Sequence, residues 1–492
     1  MTTTDSPLTL AAVDLGATSG RVILGGVADG VLRMRHIARF PNAPLNLTES
    51  QSGAQVVPTE GLYWNIQSLF AALTEGLREA AAAAPGLRSI GIDSWAVDYG
   101  LLRGGRLMGL PHHYRDGRSS RGVELVHARI DSAELFNRNG LQHLDFNTVF
   151  QLAAEEETGF LGLADRILLI PDLIAYWLTG QERSEVTNAS TTGLLSVSDR
   201  QWDPVVLSRT EIPPEVLTAL VSPGDRVGYL TEPVAQRLGI SHAVEVTAVG
   251  SHDTASAVAA VPFEGSHGAF ISSGTWSLVG LELDSAVLSE DARKANFTNE
   301  GGVDGTVRFL KNVSGLWLLT ESMRQWQRDA TDAERSADLQ SLLAEAAAVT
   351  GPIPIFDPSD DRFIPPGDMP QRIVDWFSER GIVPPRGRPE VVRSILESLA
   401  DAYSTTIELA EELTNRRVDT IHIVGGGSQN TLLCELTAKR SGKRVLAGPI
   451  EATAIGNLLV QARAVGDVDS RATLNDLRAI VARSFAVTEY AP

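Results

Sequence analysis

The segment GSHDTAS (250–256) sets a carboxylate, Asp253, in a turn between the apolar run Val246–Val249 and a stretch of small residues. A carboxylate on a strand-end turn can act as general base toward a hydroxyl, with His252 and Thr254 as hydrogen-bonding neighbours. The commoner duty of aspartate at such a place is to cap the following helix, and from this motif alone the cap is the favoured reading. Ser251, His252 and Asp253 are consecutive, and neighbouring side chains point apart, so no Ser-His-Asp relay is expected among them.

Three further segments could hold a phosphate or a flat group. DLGATSGR (14–21) joins an acid at a strand end to a turn of small residues. Small side chains let backbone amides approach an anion, while Thr18, Ser19 and Arg21 add donors and charge. ISSGTWS (271–277) has the same character. Each could equally be a plain β-hairpin with a polar turn, but two in one chain are more informative than either. VGGGSQN (424–430) reads as a strand, three glycines and a helix start, with Ser428 as the expected N-cap. It could also be a simple strand-to-helix connector. The chain carries neither G-x-G-x-x-G after a strand nor a P-loop GK[ST], which argues against dinucleotide and P-loop nucleotide binding.

Other conspicuous residues read as structural. His112 and His113 have no third ligand at metal spacing and are expected in a loop. Trp64, Trp95, Trp177, Trp276 and Trp317 are expected in the core, with Trp95 and Trp276 beside the polar turns and able to wall a pocket.

These residues need elements to hold them. Leu10–Val13 and Val22–Leu24 read as strands flanking the first turn, and Ile90–Ile92 and Leu101–Leu102 flank DSWAVDYG. Residues 66–84 read as a helix closed by Pro85-Gly86, and 166–178 as a loop leading into a helix with Pro171 at its start. The N-terminal pattern returns around 244–282, where GAFISSGTWSLVGLEL parallels AAVDLGATSGRVILGGV, a weak internal similarity that points to a duplicated domain. Ile395, Leu399, Tyr403, Ile407 and Ala410 share one face of a long helix over 391–415. Thr420–Val424 is a strand and Asn430–Lys439 a helix, with Gly442 just past its end. The Pro/Gly-rich segment 351–390 reads as a long loop, ordered or mobile. Alternating strands and helices give an α/β chain, with the two halves expected to divide near 255–265.

Composition bounds the rest. At ~150 residues per domain, 492 residues make two to four domains. The charges, 42 basic against 61 acidic, leave a net −19 without a basic block, so no large nucleic-acid or anionic-membrane footprint is expected. No apolar run approaches the ~20 residues of a membrane span, and MTTTDSPLTL has no secretory pattern. The single Cys434 excludes an intrachain disulfide framework, and a reducing, cytoplasmic setting is expected.

Taken in order, AAVDLGATSGRV, IGIDSWAVDYGLL, FNTVFQL (146–152), LIPDLIAYWLTG, EVTNASTTGLL (185–195), GSHDTASAV, SSGTWSLVG, NFTNEGG (296–302), LKNVSGLWLL, DDRFIPPGDMP and HIVGGGSQNTLL resemble the FGGY carbohydrate kinases over residues 11 to about 460. The resemblance implies two actin-like, ribonuclease H-like α/β domains, at 1–258 on the sugar side and 259–492 on the nucleotide side, with ATP and sugar in an interdomain cleft. It implies Asp253 as proton acceptor, with Ala96, His252, Thr254 and Asn312 also touching the sugar. Ala17, Thr18, Ser19, Gly20 and Arg21, with Thr275, Thr320 and Gly426, would contact ATP. Ala96 stands where the family often has glycine, which narrows the pocket slightly. Thr320 stands where relatives often have glutamine. Mg²⁺ would bridge phosphate oxygens and reach the protein through water near Asp14. The expected reaction is phosphorylation of the 1-hydroxyl of L-rhamnulose, with L-fuculose or D-xylulose as alternative ketoses. A non-enzymatic ATP-dependent binder on the same fold is the rival from another class. Sugar and ATP are the expected partners, and nothing in the sequence fixes a subunit number.

Overall fold

Six consecutive apolar or small residues, Leu10–Leu15, all buried, form the central strand β1 of the first sheet. The computed structural model describes residues 8–50, 58–265, 267–328 and 331–492, and the N-terminal segment read above for a leader lies largely outside them, at 1–7. Strands β2 (Ser19–Ala28) and β3 (Val31–Pro41) follow β1 as an antiparallel meander. Strand β4 (Ser89–Ser94) pairs parallel to β1, and β6 (Glu245–Thr247) parallel to β4, with β5 (Arg226–Tyr229) antiparallel on the edge. The order is β5-β6-β4-β1-β2-β3.

A parallel step needs a crossover helix. Between β3 and β4 it is Ile66–Ala83, whose Ile66, Leu69, Leu73, Leu77 and Ala80 form the buried stripe. Asn65 caps its first turn by accepting from the Ser68 amide. Between β4 and β6 the chain builds a side lobe. There Tyr99–Arg103 pairs with Arg166–Leu169, the latter a strand where the sequence reads as loop, and Pro171 sits in the first turn of the helix Ile170–Thr179. Val126, Val149, Phe150, Leu152, Ile167 and Leu207 fill the core of that lobe.

The second sheet repeats the plan. Strands β7 (Gly268–Ser273) and β8 (Trp276–Leu283) are antiparallel, and β9 (Val307–Ser314) flanks β8. Strand β10 (Thr420–Val424) runs parallel to β7, β11 (Arg444–Ala447) parallel to β10, and β12 (Thr488–Tyr490) closes the edge antiparallel. The orders β3-β2-β1-β4-β6 and β9-β8-β7-β10-β11 are the same ribonuclease H-like arrangement, so the weak sequence repeat reflects a duplicated fold. The helix Gly387–Thr414 buries the predicted face of Ile395, Leu399, Tyr403, Ile407 and Ala410.

The chain forms two compact units. The first holds residues 1–262, 282–309 and 452–485; the second holds 263–281, 310–451 and 486–492. The first change of unit falls inside the region expected from sequence, but two later segments return to the first unit. Segment 452–485 returns because the helix Ala452–Ala464 packs on β1 and on the helix Asp253–Ala259.

Two local readings are corrected. The Pro/Gly-rich stretch 351–390 contains the helix Met369–Glu379, capped by Asp368, whose Met369, Ile373, Trp376 and Phe377 are buried. Phe356 and Phe363 join that cluster, with ring centroids 5.1 Å apart. Ser428 is not the N-cap of the helix Thr431–Ser441; Asn430 is, accepting from the Leu433 amide at 3.1 Å, while the Ser428 hydroxyl donates to Gly425 O.

Candidate active site

In the first unit the carboxyl ends of the parallel strands carry a group of acids, the end where open α/β sheets usually bind ligands. Asp14 on β1 lies opposite Asp93 on β4 in register. The Ser94 amide donates to Ser251 O at 2.9 Å, which draws the GSHDTAS turn against β4. Asp14, Asp93 and Asp253 thus form a cluster of acids. Burial first, then the charges of Asp14 and Asp253, push the Asp93 carboxyl well above its ordinary range. Asp93 Oδ2 accepts from Asn457 Nδ2 at 2.6 Å. Asp93 Oδ1 is buried and has no hydrogen-bond partner among the described residues.

Asp14 pairs with Arg21 Nε at 2.9 Å across the β1–β2 turn. That turn closes by Gly16 N donating to Ser19 O, and Asn42 Nδ2 ties its other side by donating to Gly16 O. Ala17 and Ser19 are half-buried, Thr18 is exposed and Gly20 is buried, so the small residues face outward at the tip only.

Asp253 is the first residue of the helix Asp253–Ala259, and His252 stands at the cap position without a side-chain cap bond. Asp253 Oδ1 accepts from the Thr254 hydroxyl at 3.0 Å and lies 3.5 Å from His252 Nε2. Its side chain keeps 32% of its surface exposed while His252 keeps 7%. The cap reading favoured from the motif alone is therefore not what the structure shows. Adjacent His252 and Asp253 do meet, whereas Ser251 turns away and donates to Glu185 Oε2 at 2.7 Å.

Ala96 sits half-buried in a turn whose next residue, Val97, has φ of +67°, a left-handed conformation strained for a β-branched residue. Asp98 holds this turn. Its Oδ2 accepts from Trp64 Nε1 (2.6 Å), Trp95 Nε1 (3.1 Å) and the Tyr114 amide (3.1 Å), and Oδ1 accepts from Gln151 Nε2 (2.9 Å). Trp64 stacks on His113, and the Trp64 and Trp95 rings lie 4.0 Å apart, so His113 belongs to an aromatic wall. Trp64, Trp95 and Trp317 are buried, as expected, while Trp177 and Trp276 are half-buried.

Burial lifts the Asp98 carboxyl to about 7 against its four donors. A raised acid favours the fold below its unfolded value, and that contribution is lost as pH rises through the folded one. Between about pH 5 and about pH 8 the wild type is expected to lose about 3 kcal/mol relative to Asp98→Asn. Urea unfolding of both proteins across that range measures it; parallel pH profiles would contradict it.

The second unit carries the other expected contacts. The Gly274–Thr275 turn is locked by the VSGLW segment: the Leu316 amide donates to Gly274 O at 2.9 Å and the Trp317 amide to Thr275 O at 3.2 Å. Thr275 is half-buried, Asn312 is half-buried on β9, and Thr320 is exposed on the helix Trp317–Trp326. In the glycine triplet, Gly425 has φ of +82° and a Cβ there would meet Ser273 O at 2.9 Å, while one on Gly427 would collide with Ser273 Oγ. Gly426 alone faces open space. Two glycines thus serve packing against β7, and the exposed one is free to meet a flat ligand.

Sequence reasoning assigned no role to Glu185, Asp93, Asp98, Glu300, Arg308 or Asn457. Glu185 and Glu300 lie within the quoted EVTNASTTGLL and NFTNEGG, so their positions were visible but not their partners.

Comparison with known proteins decides the family. The model of the N-terminal domain of the FGGY family of carbohydrate kinases matches residues 9–260, and that of the C-terminal domain matches residues 269–465. This chain belongs to the FGGY family of carbohydrate kinases. The kinase is 39% identical over 485 residues to a rhamnulokinase of Bacteroides thetaiotaomicron, covering 98% of this chain and 95% of that protein. It is also 39% identical over 488 residues to a rhamnulokinase of Pectobacterium carotovorum, at 98% and 93% coverage. Among solved structures it is similar to the xylulose kinase of Lactobacillus acidophilus, with TM-score 0.74, 16% identity, and 98% and 93% of the chains covered. The Plasmodium falciparum glycerol kinase with ADP matches at TM-score 0.70, 14% identity, and 98% and 94% coverage. These distant likenesses carry the two-domain actin-like fold. The chain is an ATP-dependent carbohydrate kinase, and among the described residues no helix is long and apolar enough to cross a membrane.

Proposed function

We propose that this kinase transfers the ATP γ-phosphoryl group to the 1-hydroxyl of L-rhamnulose, giving L-rhamnulose 1-phosphate and ADP, in the cytoplasm. The observation that carries the substrate is the run of relatives named rhamnulokinase at 36–39% identity over 98% of the chain.

The chemistry rests on Asp253. Its carboxylate is part exposed, caps no helix and neighbours two other acids, all of which suits a proton acceptor. As the sugar oxygen bonds to the γ-phosphorus, the O–H proton passes to Asp253. The bond from phosphorus to the β–γ bridging oxygen breaks and ADP leaves with that electron pair. His252, Thr254, Ala96 and Asn312 hold the sugar in this reading. Ala17 through Arg21, Thr275, Thr320 and Gly426 hold ATP. The domains of the reading are 1–258 for sugar and 259–492 for nucleotide, with segments 282–309 and 452–485 serving the first.

Mg²⁺ fits the residues present. Asp14 and Asp93 supply hard oxygen donors at strand ends, and the orphaned Asp93 Oδ1 marks a place where a cation or its water is wanted. Asp14 would hold the ion through water. When bound with ATP, the ion neutralises charge on the phosphate oxygens.

The test is turnover across L-rhamnulose, L-fuculose and D-xylulose under one set of conditions. The highest kcat/KM is expected for L-rhamnulose. A higher value for D-xylulose would overturn the substrate while leaving the kinase assignment standing.

A further inference from the structure

Behind His252 lies a buried ion pair with no part in the chemistry above. Arg308 is fully buried, and its Nη1 lies 3.0 Å from Glu300 Oε2. Its Nη2 donates to His252 Nδ1 at 3.1 Å, and its Nε donates to Gly301 O at 3.0 Å. Glu300 Oε2 lies 3.3 Å from the same Nδ1. All these residues belong to the first unit, although Glu300 and Arg308 lie far along the chain in segment 282–309.

An arginine has donors only, so Nη2 at 3.1 Å calls for an acceptor at Nδ1 while Glu300 Oε2 at 3.3 Å calls for a donor, and the shorter contact assigns Nδ1 the acceptor's role. The ring proton then sits on Nε2, the atom turned toward Asp253 Oδ1 at 3.5 Å. Glu300 alone would draw a proton onto Nδ1 and charge the ring; Arg308 takes up that negative charge and occupies the lone pair. Burial of so complete a pair is costly unless every partner is placed, which makes its position beside one ring a constraint on that ring. The charges around His252 are Asp253 on its own turn, with Glu300 and Arg308 on the packed segment. Glu185 also meets the backbone of this turn, and Glu185 and Glu282 act on Arg308.

We propose that Glu300 and Arg308 are positioning residues that hold His252 as the neutral Nε2–H ring turned to Asp253. A charged ring there would stabilise the Asp253 carboxylate and weaken it as a base toward the sugar hydroxyl. The inference rests on the roles of His252 and Asp253 given under the proposed function.

The test is ¹⁵N–¹H NMR of ring-labelled full-length protein, titrated with pH, read beside kcat across the same range. In the wild type, His252 Nδ1 is expected to be the unprotonated nitrogen at neutral pH. In Arg308→Met the ring pKa should rise by ~1 pH unit or more, and in Glu300→Gln it should fall, since one unbalanced buried charge moves a neighbour by that order. The kcat of Arg308→Met should climb with pH in step with the ring titration, a rise the wild type lacks. If Arg308→Met does not fold, Arg308→Lys and the wild-type spectrum still decide the matter. A protonated Nδ1 in the wild type at neutral pH, or equal losses of kcat without opposed shifts of the ring, would overturn the proposal. Failure to phosphorylate any ketose would instead defeat the underlying reading, because the ring titration is read without substrate.

Discussion

Asp253→Asn is expected to lower kcat by ~10²–10⁴-fold, the usual cost of a lost general base, while the fold stays intact. Asparagine keeps the shape and can still accept from the Thr254 hydroxyl, but it cannot take the sugar proton. The stability side has a definite sign. Asp253 caps no helix, and its charge adds to those of Asp14 in pushing up the buried Asp93 carboxyl. Removing a negative charge from this cluster of acids relieves repulsion, so the melting temperature should hold or rise. ATP affinity should stay near wild type, because in this account the Ala17–Arg21, Thr275 and Gly426 segments carry the nucleotide. Steady-state kinetics, thermal unfolding and nucleotide titration on one preparation separate the three quantities. Retention of more than about a tenth of wild-type kcat would place the proton acceptor elsewhere.

Gly456→Ala is expected to destabilise the first unit by about 3 kcal/mol, at the upper end for overpacking. Gly456 lies in the helix Ala452–Ala464 where it crosses the helix Asp253–Ala259, and a Cβ there would run into the Ser256 carbonyl oxygen. Alanine favours a helix over glycine by up to about 1 kcal/mol, which is too little to offset a clash with backbone. The helices must part, and the next residue, Asn457, holds Asp93, while Gln461 donates to Ala11 O on β1 at 3.1 Å. A fall in melting temperature of roughly 4–5 °C is expected for a unit of this size. The surviving folded protein should also turn over more slowly, since the displaced helix begins with Asp253. An unchanged melting temperature would mean that the crossing is looser than the structure has it.

The turns were legible because their signals are local. DLGATSGR, GSHDTAS and SSGTWS each combine small residues with one or two polar groups between apolar runs, and each became a strand-end turn. The duplicated sheet was visible for the same reason. What escaped the sequence was set by distance along the chain or by masking. Glu300 and Arg308 meet His252 from some fifty residues away, and no spacing rule links them. Asn457 reaches Asp93 across most of the chain. The helix Met369–Glu379 was hidden by the prolines and glycines before it, although Met369, Ile373, Trp376 and Phe377 already had helical spacing and Pro370 suited its first turn. The cap reading of Asp253 failed because His252 holds the cap position, a shift of one residue that periodicity does not resolve.

The most direct measurement is ³¹P NMR of the products formed from ATP and L-rhamnulose. The account predicts one new phosphomonoester resonance, coupled to the two protons of C1, appearing in equal amount with ADP. Inorganic phosphate in place of that ester, or an ester coupled to a single carbon-bound proton, would contradict transfer to the primary hydroxyl.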